Sequence, residues 1–285
     1  MASMRDIQRR KNSIQSTGQI TKAMKLVSTV KLQKARAKAE QARPYFEHMY
    51  NTVSSMLALS SDMNHPYLKA GESKKKAVIV VTSNRGLAGG YNSNIIKLIT
   101  RGELKQEEVK IYSIGRKGKE YLERRGYEMA ADYSDVINEP LYKDAQEIGK
   151  AVLDAFKNGE VGEIYLAYTS FKNTVSHQPK LMRLLPVELN KEEAATDGKS
   201  IPMNYEPDEE EVLNIIIPKY ICGLIYSALV EAVASENGAR MQAMDSATSN
   251  AEEMIADLSL MYNRARQGSI TQELTEIIAG AQAIS

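Results

Sequence analysis

The stretch of this sequence best arranged for phosphate chemistry is the glycine-rich loop Thr82-Ser-Asn-Arg-Gly-Leu-Ala-Gly-Gly-Tyr-Asn92. It follows an apolar run and opens a helical one, the place where backbone N–H groups cradle phosphates. It is neither G-x-G-x-x-G nor G-x-x-x-x-G-K-[ST], and no acidic residue stands where a ribose partner belongs. A tight turn in a sheet is therefore its simpler reading. His48, His65 and His177 are scattered, with no i, i+4 pair and no cysteine cluster, which argues against zinc. Cys222 lies among Ile221, Leu224 and Ile225 and reads as a small buried hydrophobe. Asp208–Glu211 reads as charge at a helix N-terminus. No Ser–His–Asp or Cys–His arrangement emerges, so neither a catalytic centre nor a cofactor is expected.

The elements around that loop are read from composition and spacing. The chain has 285 residues, 43% hydrophobic and 26% charged, close to globular averages. Abundant Ala, Leu and Met, no Trp and only 3 Phe lean toward helix. One cysteine excludes an internal disulfide framework. Apolar runs such as Ala77–Val81 and Ile215–Ile217 fall short of the ~20 residues of a membrane helix. With no apolar signal core at the start, the chain is expected to be neither exported nor inserted. Net charge is +1, but residues 1–43 hold eleven Lys/Arg against Asp6 and Glu40. That arm carries +9 and leaves −8 for the remaining 242 residues, which points to an acidic or polyanionic partner for it.

Of 25 Gly plus Pro, 18 fall between residues 58 and 208, so both ends are predicted as long helices around a turn-rich middle. Apolar residues recur at Leu32, Ala35, Ala39, Ala42, Phe46, Met49, Val53 and Met56 in alternating steps of 3 and 4. Met244, Ala247, Ala251, Met254, Leu258, Met261 and Ala265 repeat the pattern. Ile221, Ile225, Ala228 and Ala232 follow it in another phase, as do Ile270, Leu274, Ile277, Ala281 and Ile284. Such heptads mark a coiled-coil seam. As single helices, residues 4–57 and 209–284 would span ~80 and ~115 Å. A compact globule of this size is only about 50 Å across. The spacing and length together predict a long antiparallel two-helix coiled coil. In the first 30 residues Ile7, Ile14, Ile20, Met24 and Val27 are interrupted by Thr17, Gly18, Thr21 and Ser28. This end is expected to offer small residues and little apolar grip.

The middle reads βαβα: strands at 77–82, 109–114, 164–170 and 180–189, helices at 95–100, 117–125 and 144–157, then a polar acidic connector at 190–211. Strands alternating with helices predict a small, Rossmann-like, parallel or mixed α/β sheet. The fold class is thus α/β with a terminal coiled coil, and the predicted divisions are 1–57, 58–208 and 209–285. A basic helix running into heptads is also how zipper proteins meet DNA. Here the cations are spread over 43 positions, and no duplex reader needs a second, longer helix folding back on the first.

Three stretches carry a resemblance. Ile20-Thr-Lys-Ala-Met-Lys-Leu-Val-Ser28, the loop 82–92 and Tyr262-Asn-Arg-Ala-Arg-Gln-Gly-Ser-Ile-Thr-Gln-Glu-Leu-Thr-Glu-Ile-Ile-Ala-Gly-Ala281 resemble the γ subunit of F-type ATP synthases. The likeness covers nearly the whole chain. The absence of a transit segment and of a cysteine-bearing insertion resembles the bacterial type. The resemblance implies a rotor shaft, without a catalytic site of its own, in single copy inside a hexamer of α and β subunits. Its α/β domain would bind the ε subunit and dock on the membrane-embedded c-ring, at the cytoplasmic side of the cell membrane. It would couple proton flow to ATP synthesis or hydrolysis, with no nucleic-acid partner. Carried over residue by residue, it implies contact with the hexamer at Lys22, Met24, Lys25, Arg240, Gln267, Thr271 and Glu273, and with the c-ring at Tyr205, Glu206 and Asp208.

Overall fold

The computed structural model describes residues 3–59, 65–174, 176–187 and 208–284. Helix α1 (Met4–Leu59) is followed by strand β1 (Lys76–Val81), α2 (Tyr91–Thr100), β2 (Val109–Ile114), α3 (Arg116–Arg124), β3 (Glu128–Asp132) and α4 (Tyr142–Lys157). Then come β4 (Glu163–Phe171), β5 (His177–Leu185) and the closing helix α5 (Glu209–Ile284). The chain forms two compact units: Met1–Ser28 with Arg240–Ser285, and Thr29–Ala239. The second unit therefore takes in 29–59 of α1 and 209–239 of α5 together with the whole sheet.

The five strands lie in the order β3-β2-β1-β4-β5, the first four parallel and β5 antiparallel to β4. Strand periodicity sorts the side chains onto two faces. Ala77, Ile79 and Val81, with Ile114, Ile164 and Leu166, meet α4 and the inner parts of α1 and α5. Val78 and Val80, with Ile111 and Ala167, form a second core with Ile95 and Ile99 of α2 and Leu122 of α3. Helices on both faces explain why β1 reads as a continuous apolar run without alternation. The strands expected at 109–114 and 164–170 are found, and β1 spans 76–81.

Strand β3 has no counterpart in the sequence reading. Its Glu-Met-Ala-Ala-Asp residues alternate only between exposed and half-buried, as suits an edge strand. Strand β5 begins at His177, three residues before the expected start, and admits Pro179 because it too lies at an edge. Helix α2 starts at Tyr91, earlier than expected, and α5 runs through Pro218 without starting there.

α4 meets α5 at a glycine. A Cβ on Gly149 would stand 2.6 Å from Cys222 Sγ, so only glycine lets the two backbones come this close. Burial pushes the Cys222 thiol above its usual range, as for an inert packed side chain. Phe46 of α1 lies over Gly223, and Tyr50 meets Tyr220, so α1 and α5 run antiparallel in this unit. All eight predicted seam residues from Leu32 to Met56 are buried or half-buried. α5 includes an 18-residue stretch of mean hydropathy 1.6, apolar enough by length and composition to cross a membrane. Leu213, Ile217, Ile221, Ile225 and Leu229 of that helix are fully buried in the sheet-containing unit, so core packing accounts for the apolarity.

His65 is 1% exposed, and its Nδ1 accepts a hydrogen bond from the Tyr67 N–H at 3.2 Å. Burial pushes its pKa down; the Glu210 carboxylate and a hydrogen bond with Asn214 oppose this in part. Below the ordinary histidine value of about 6.5, the unfolded chain takes up a proton that folded His65 resists. The stability His65 contributes is thus complete above about pH 6.5 and is lost as pH falls. His65→Gln is expected to flatten the acid limb of a stability–pH curve measured by urea unfolding; an unchanged limb would contradict this.

Candidate functional site

The parallel strands end in the loop singled out from sequence, where doubly wound sheets place their ligands. The first N–H groups of the neighbouring helix α3, which follows β2, are bonded by this loop itself. Arg116 N–H donates to Asn84 Oδ1 at 2.9 Å, Lys117 N–H to the Ser83 carbonyl at 3.1 Å and Gly118 N–H to Thr82 Oγ1 at 2.9 Å. Ser83 N–H donates to Asn92 Oδ1 at 2.9 Å, and Asn84 Nδ2 donates to the Ser134 carbonyl at 2.7 Å. The glycine-rich loop is thus a knot that fastens β1 to α2, α3 and the end of β3. Among the described residues no group of His, Cys, Asp and Glu is arranged to hold a metal.

The surface that stands out lies on the helix pair of the first unit. Gly18 faces Ala251, where an added Cβ would lie 3.4 Å from the alanine Cβ. Thr21 and Thr248 share a hydrogen bond at 2.8 Å, and Lys25 Nζ reaches Asp245 Oδ1 at 2.5 Å. These pairs fix an antiparallel register. Thr21 and Ser28 are buried, and each satisfies its hydroxyl on its own helix, donating to the Gly18 and Met24 carbonyls. The small and polar residues that interrupt the apolar pattern are therefore the seam itself.

Of the large apolar residues, Met244 and Leu258 are buried in the seam, while a set on α1 faces outward. Ile20, Leu26, Val27 and Val30 are 58–62% exposed. On α5 from residue 240 onward the buried or half-buried positions are 240, 241, 243, 244, 247, 248, 251, 255, 258, 259, 262, 265 and 269. The expected Met254 and Met261 lie outside the seam and are exposed, with Ile255 and Tyr262 in their place. Both neighbours are apolar at 254 and 255, so spacing alone does not choose between them. Continuing the register brings Met4 level with residue 265, and the cleft formed by Met4, Arg5, Gln8, Arg9, Asn12 and Tyr262 agrees. Beyond that point α1 supplies no partner. Ile270, Leu274, Ile277 and Ile278 are 49–67% exposed. The expectation of an end with little apolar grip is overturned: the weakly apolar part is inside and the grip outside.

The residues expected to meet partners fall into separate places. Lys22 is exposed, Met24 half-buried and Lys25 held by Asp245. Gln267, Thr271 and Glu273 are exposed where α5 has outrun α1, and Thr271 Oγ1 donates to the Gln267 carbonyl at 2.9 Å. From Asp245, level with Lys25, to Gln267 is about 33 Å along α5 at 1.5 Å per residue, so the structure does not bring the two groups together. Arg240 is 9% exposed and offers only an edge. Tyr205 and Glu206 lie outside the described residues. Asp208 is exposed and caps α5, accepting from the Glu211 N–H at 2.8 Å. Sequence reasoning passed over Asp245, Thr248, Leu26 and Val30, and it counted Ile20 and Val27 in the seam, from which they face outward. The signal was present in the phase of that set, which lies off the Gly18–Thr21–Ser28 line.

The Lys25–Asp245 pair is 39% and 57% exposed in its side chains, so water screens most of its attraction. A double-mutant cycle with Lys25→Ala and Asp245→Ala is expected to give less than about 1 kcal/mol of coupling. A coupling of several kcal/mol would show that the pair organises this unit.

A family model described as ATP synthase matches residues 3–284. The ATP synthase gamma chain of Lachnoclostridium phytofermentans is 70% identical over 293 residues, covering 100% of both chains. That of Alkaliphilus metalliredigens is 45% identical over 99% of this chain and 98% of its own. A gamma chain of Acetobacterium woodii named as sodium ion specific is 39% identical over 99% of each. Among solved structures, the central stalk and c-ring of the Tetrahymena thermophila mitochondrial ATP synthase contains a chain matching with a TM-score of 0.61. It is 26% identical, with 80% of this chain and 99% of that one covered. A chain of the Euglena gracilis mitochondrial enzyme reaches a TM-score of 0.70 at 17% identity, over 99% and 94%, a likeness of fold.

Proposed function

This chain belongs to the ATP synthase γ-chain family, and on that premise we propose that it is the central rotor stalk of a rotary ATP synthase. It carries torque between a membrane-embedded c-ring and a hexamer of α and β subunits, coupling proton flow to ATP synthesis or hydrolysis. The observation that supports this best is the inverted polarity of the helix pair. A seam of Gly18, Thr21, Ser28 and Thr248, with Ile20, Leu26, Val27, Leu274 and Ile277 facing out, suits a pair built to be enclosed by other subunits. An apolar exterior does not prevent turning, because only contact that differs between orientations creates a barrier. At ~25 cal/mol per Å2, about 200 Å2 of angle-specific contact would make a well of ~5 kcal/mol.

Lys22, Met24 and Lys25 form one polar contact with the hexamer, and Gln267, Thr271 and Glu273 a second; Arg240 adds its exposed edge. The c-ring side is assigned to Tyr205, Glu206 and Asp208, and the ε subunit to the exposed face of the 77–189 domain. The chain works at the cytoplasmic side of the cell membrane as a peripheral part of the complex. It performs no catalysis of its own; the glycine-rich loop serves to fasten the start of α3 to the end of β1.

Single-molecule rotation tests the proposal. Lys105→Cys offers an exposed thiol for a bead, while native Cys222 is buried. With the chain assembled with α and β subunits and the hexamer fixed to a surface, ATP is expected to drive unidirectional stepping of the bead. A bead that stays still while ATP is hydrolysed would overturn the torque role.

A further inference from the structure

The dipeptide Asn-Gly occurs twice in this chain, at 158–159 and 237–238. It is the pair most open to self-modification, because glycine has no side chain to shield its backbone nitrogen from the preceding amide. That nitrogen attacks the asparagine Cγ. The new C–N bond closes a five-membered imide, and the Cγ–NH2 bond breaks with loss of ammonia. Water then opens the imide at either carbonyl, leaving aspartate or, with the chain rerouted through the side chain, isoaspartate. The pair is the same at both places, so the fold decides which one reacts.

Asn158 caps the C-terminus of α4 with φ −76 and ψ 0, and Gly159 follows with φ +72. Both are exposed, and nothing lies within 4 Å of a Cβ placed on Gly159. Closing the imide requires the peptide plane between them to swing out of this setting. Two backbone bonds oppose the swing: Gly159 N–H to the Phe156 carbonyl at 3.1 Å, and Glu160 N–H to the Ala155 carbonyl at 2.9 Å. Both sit at a helix end, where local opening is easiest. Asn237 is held otherwise. It lies inside α5 and is 4% exposed, and its Nδ2 donates to the Val233 carbonyl at 2.8 Å. A Cβ on Gly238 would lie 2.8 Å from the His177 ring carbon Cε1. Turning this peptide plane would break several helix bonds at once and drive it into close-packed neighbours.

We propose that Asn158 is a self-modification site: the turn from α4 to β4 ages from amide to aspartate and isoaspartate, while Asn237 stays intact. The new carboxylate stands at the C-terminus of α4, where the unpaired carbonyls disfavour negative charge. It also joins Glu160, whose carboxylate reaches Lys110 Nζ at 3.3 Å. Isoaspartate further lengthens the backbone between residues 158 and 159. That length cannot pass into β4. Val161 is fully buried, and Gly162 N–H is bonded to the Lys75 carbonyl at 2.8 Å. A Cβ on Gly162 would lie 2.1 Å from the Ser73 carbonyl oxygen, so this part of the chain has no room to shift. The extra length therefore collects at 158–160 and parts Glu160 N–H from the Ala155 carbonyl.

The test incubates the purified full chain in warm, mildly alkaline buffer and follows both Asn-Gly peptides by mass spectrometry. The product is heavier by the exchange of NH2 for OH, and fragmentation separates isoaspartate from aspartate. Modification at 158 is expected to run at least about 100-fold faster than at 237, the least protection that a packed helix interior gives. In concentrated urea, where neither turn nor helix persists, the two rates should converge to within about threefold. The Glu160 amide of the aged chain should exchange hydrogen about tenfold faster than that of the fresh chain, as expected for a lost turn bond. Asn158→Gln, whose longer side chain cannot close the five-membered ring, should keep the slow Glu160 exchange after the same incubation. Equal rates at 158 and 237 in the folded chain would overturn the proposal. So would an Asn158 amide that persists while the same peptide reacts in urea, or isoaspartate-rich protein with unchanged Glu160 exchange. Should Asn158→Gln fail to fold, the comparison of folded and urea-treated parent decides alone.

Discussion

Gly115→Ala is expected to cost at least 3–5 kcal/mol of folding stability, a large share of the 5–15 kcal/mol that holds a typical domain. Gly115 caps α3 with φ +100, a backbone region that side chains rarely enter. Strain there is only part of the cost, about 1–2 kcal/mol. An added Cβ would lie 2.1 Å from the Thr82 carbonyl oxygen and 2.8 Å from Thr82 Oγ1. Thr82 has little room to withdraw. Its N–H is bonded to the Ile114 carbonyl at 2.7 Å, and its Oγ1 accepts from Gly118 N–H at 2.9 Å. Relieving the clash would break a ladder bond or uncap α3. Gly159→Ala is the control, because Gly159 has φ +72 and nothing within 4 Å of the added carbon. Urea unfolding followed by circular dichroism compares the two. Equal costs would mean that backbone conformation alone, and not the knot around Thr82, explains the glycine.

How far the sequence discloses the molecule depends on which residues the packing uses. Where burial selects large apolar side chains, the pattern is legible: β1, β2 and β4 stand out as apolar runs, and Leu32 to Met56 shows its heptads. The reading fails where packing selects small ones. Gly18, Thr21 and Ser28 allow α1 and α5 to approach closely, yet a hydropathy pattern registers them as interruptions. Strand β3 fails for a related reason, since an edge strand needs only a few half-buried positions and its two alanines carry almost no signal. The glycine-rich loop is legible as a turn, but its closure is not. That Asn84, Ser83 and Thr82 answer the N–H groups of α3 depends on a contact 32–36 residues away in sequence.

The outward apolar set allows folding and assembly to be separated. Ile20→Gln, Val27→Gln and Ile277→Gln combined are expected to leave the stability of the isolated chain nearly unchanged, because each site is already 58–67% exposed. In the assembled state each side chain would lose the apolar burial that remains available to it. A fully buried Ile or Val contributes roughly 1.5–3 kcal/mol, so part of that leaves about 1 kcal/mol per site. Three sites together weaken association with α and β subunits by about 3 kcal/mol, or roughly 100-fold. Gly18→Ile is the counterpart: the added branch meets Ala251, whose Cβ already lies 3.4 Å from the first added carbon, so the helices must separate. That variant should lose both melting temperature and assembly, whereas the triple variant should lose assembly alone. Titration of α and β subunits onto the labelled chain, beside thermal melts of the free chain, reads both quantities. If the triple variant assembles within about twofold of the parent, the exposed set is not what the surrounding subunits grip. The polar groups at Lys22, Lys25, Gln267 and Glu273 would then have to supply the contact, with the strong salt dependence that charged surfaces show.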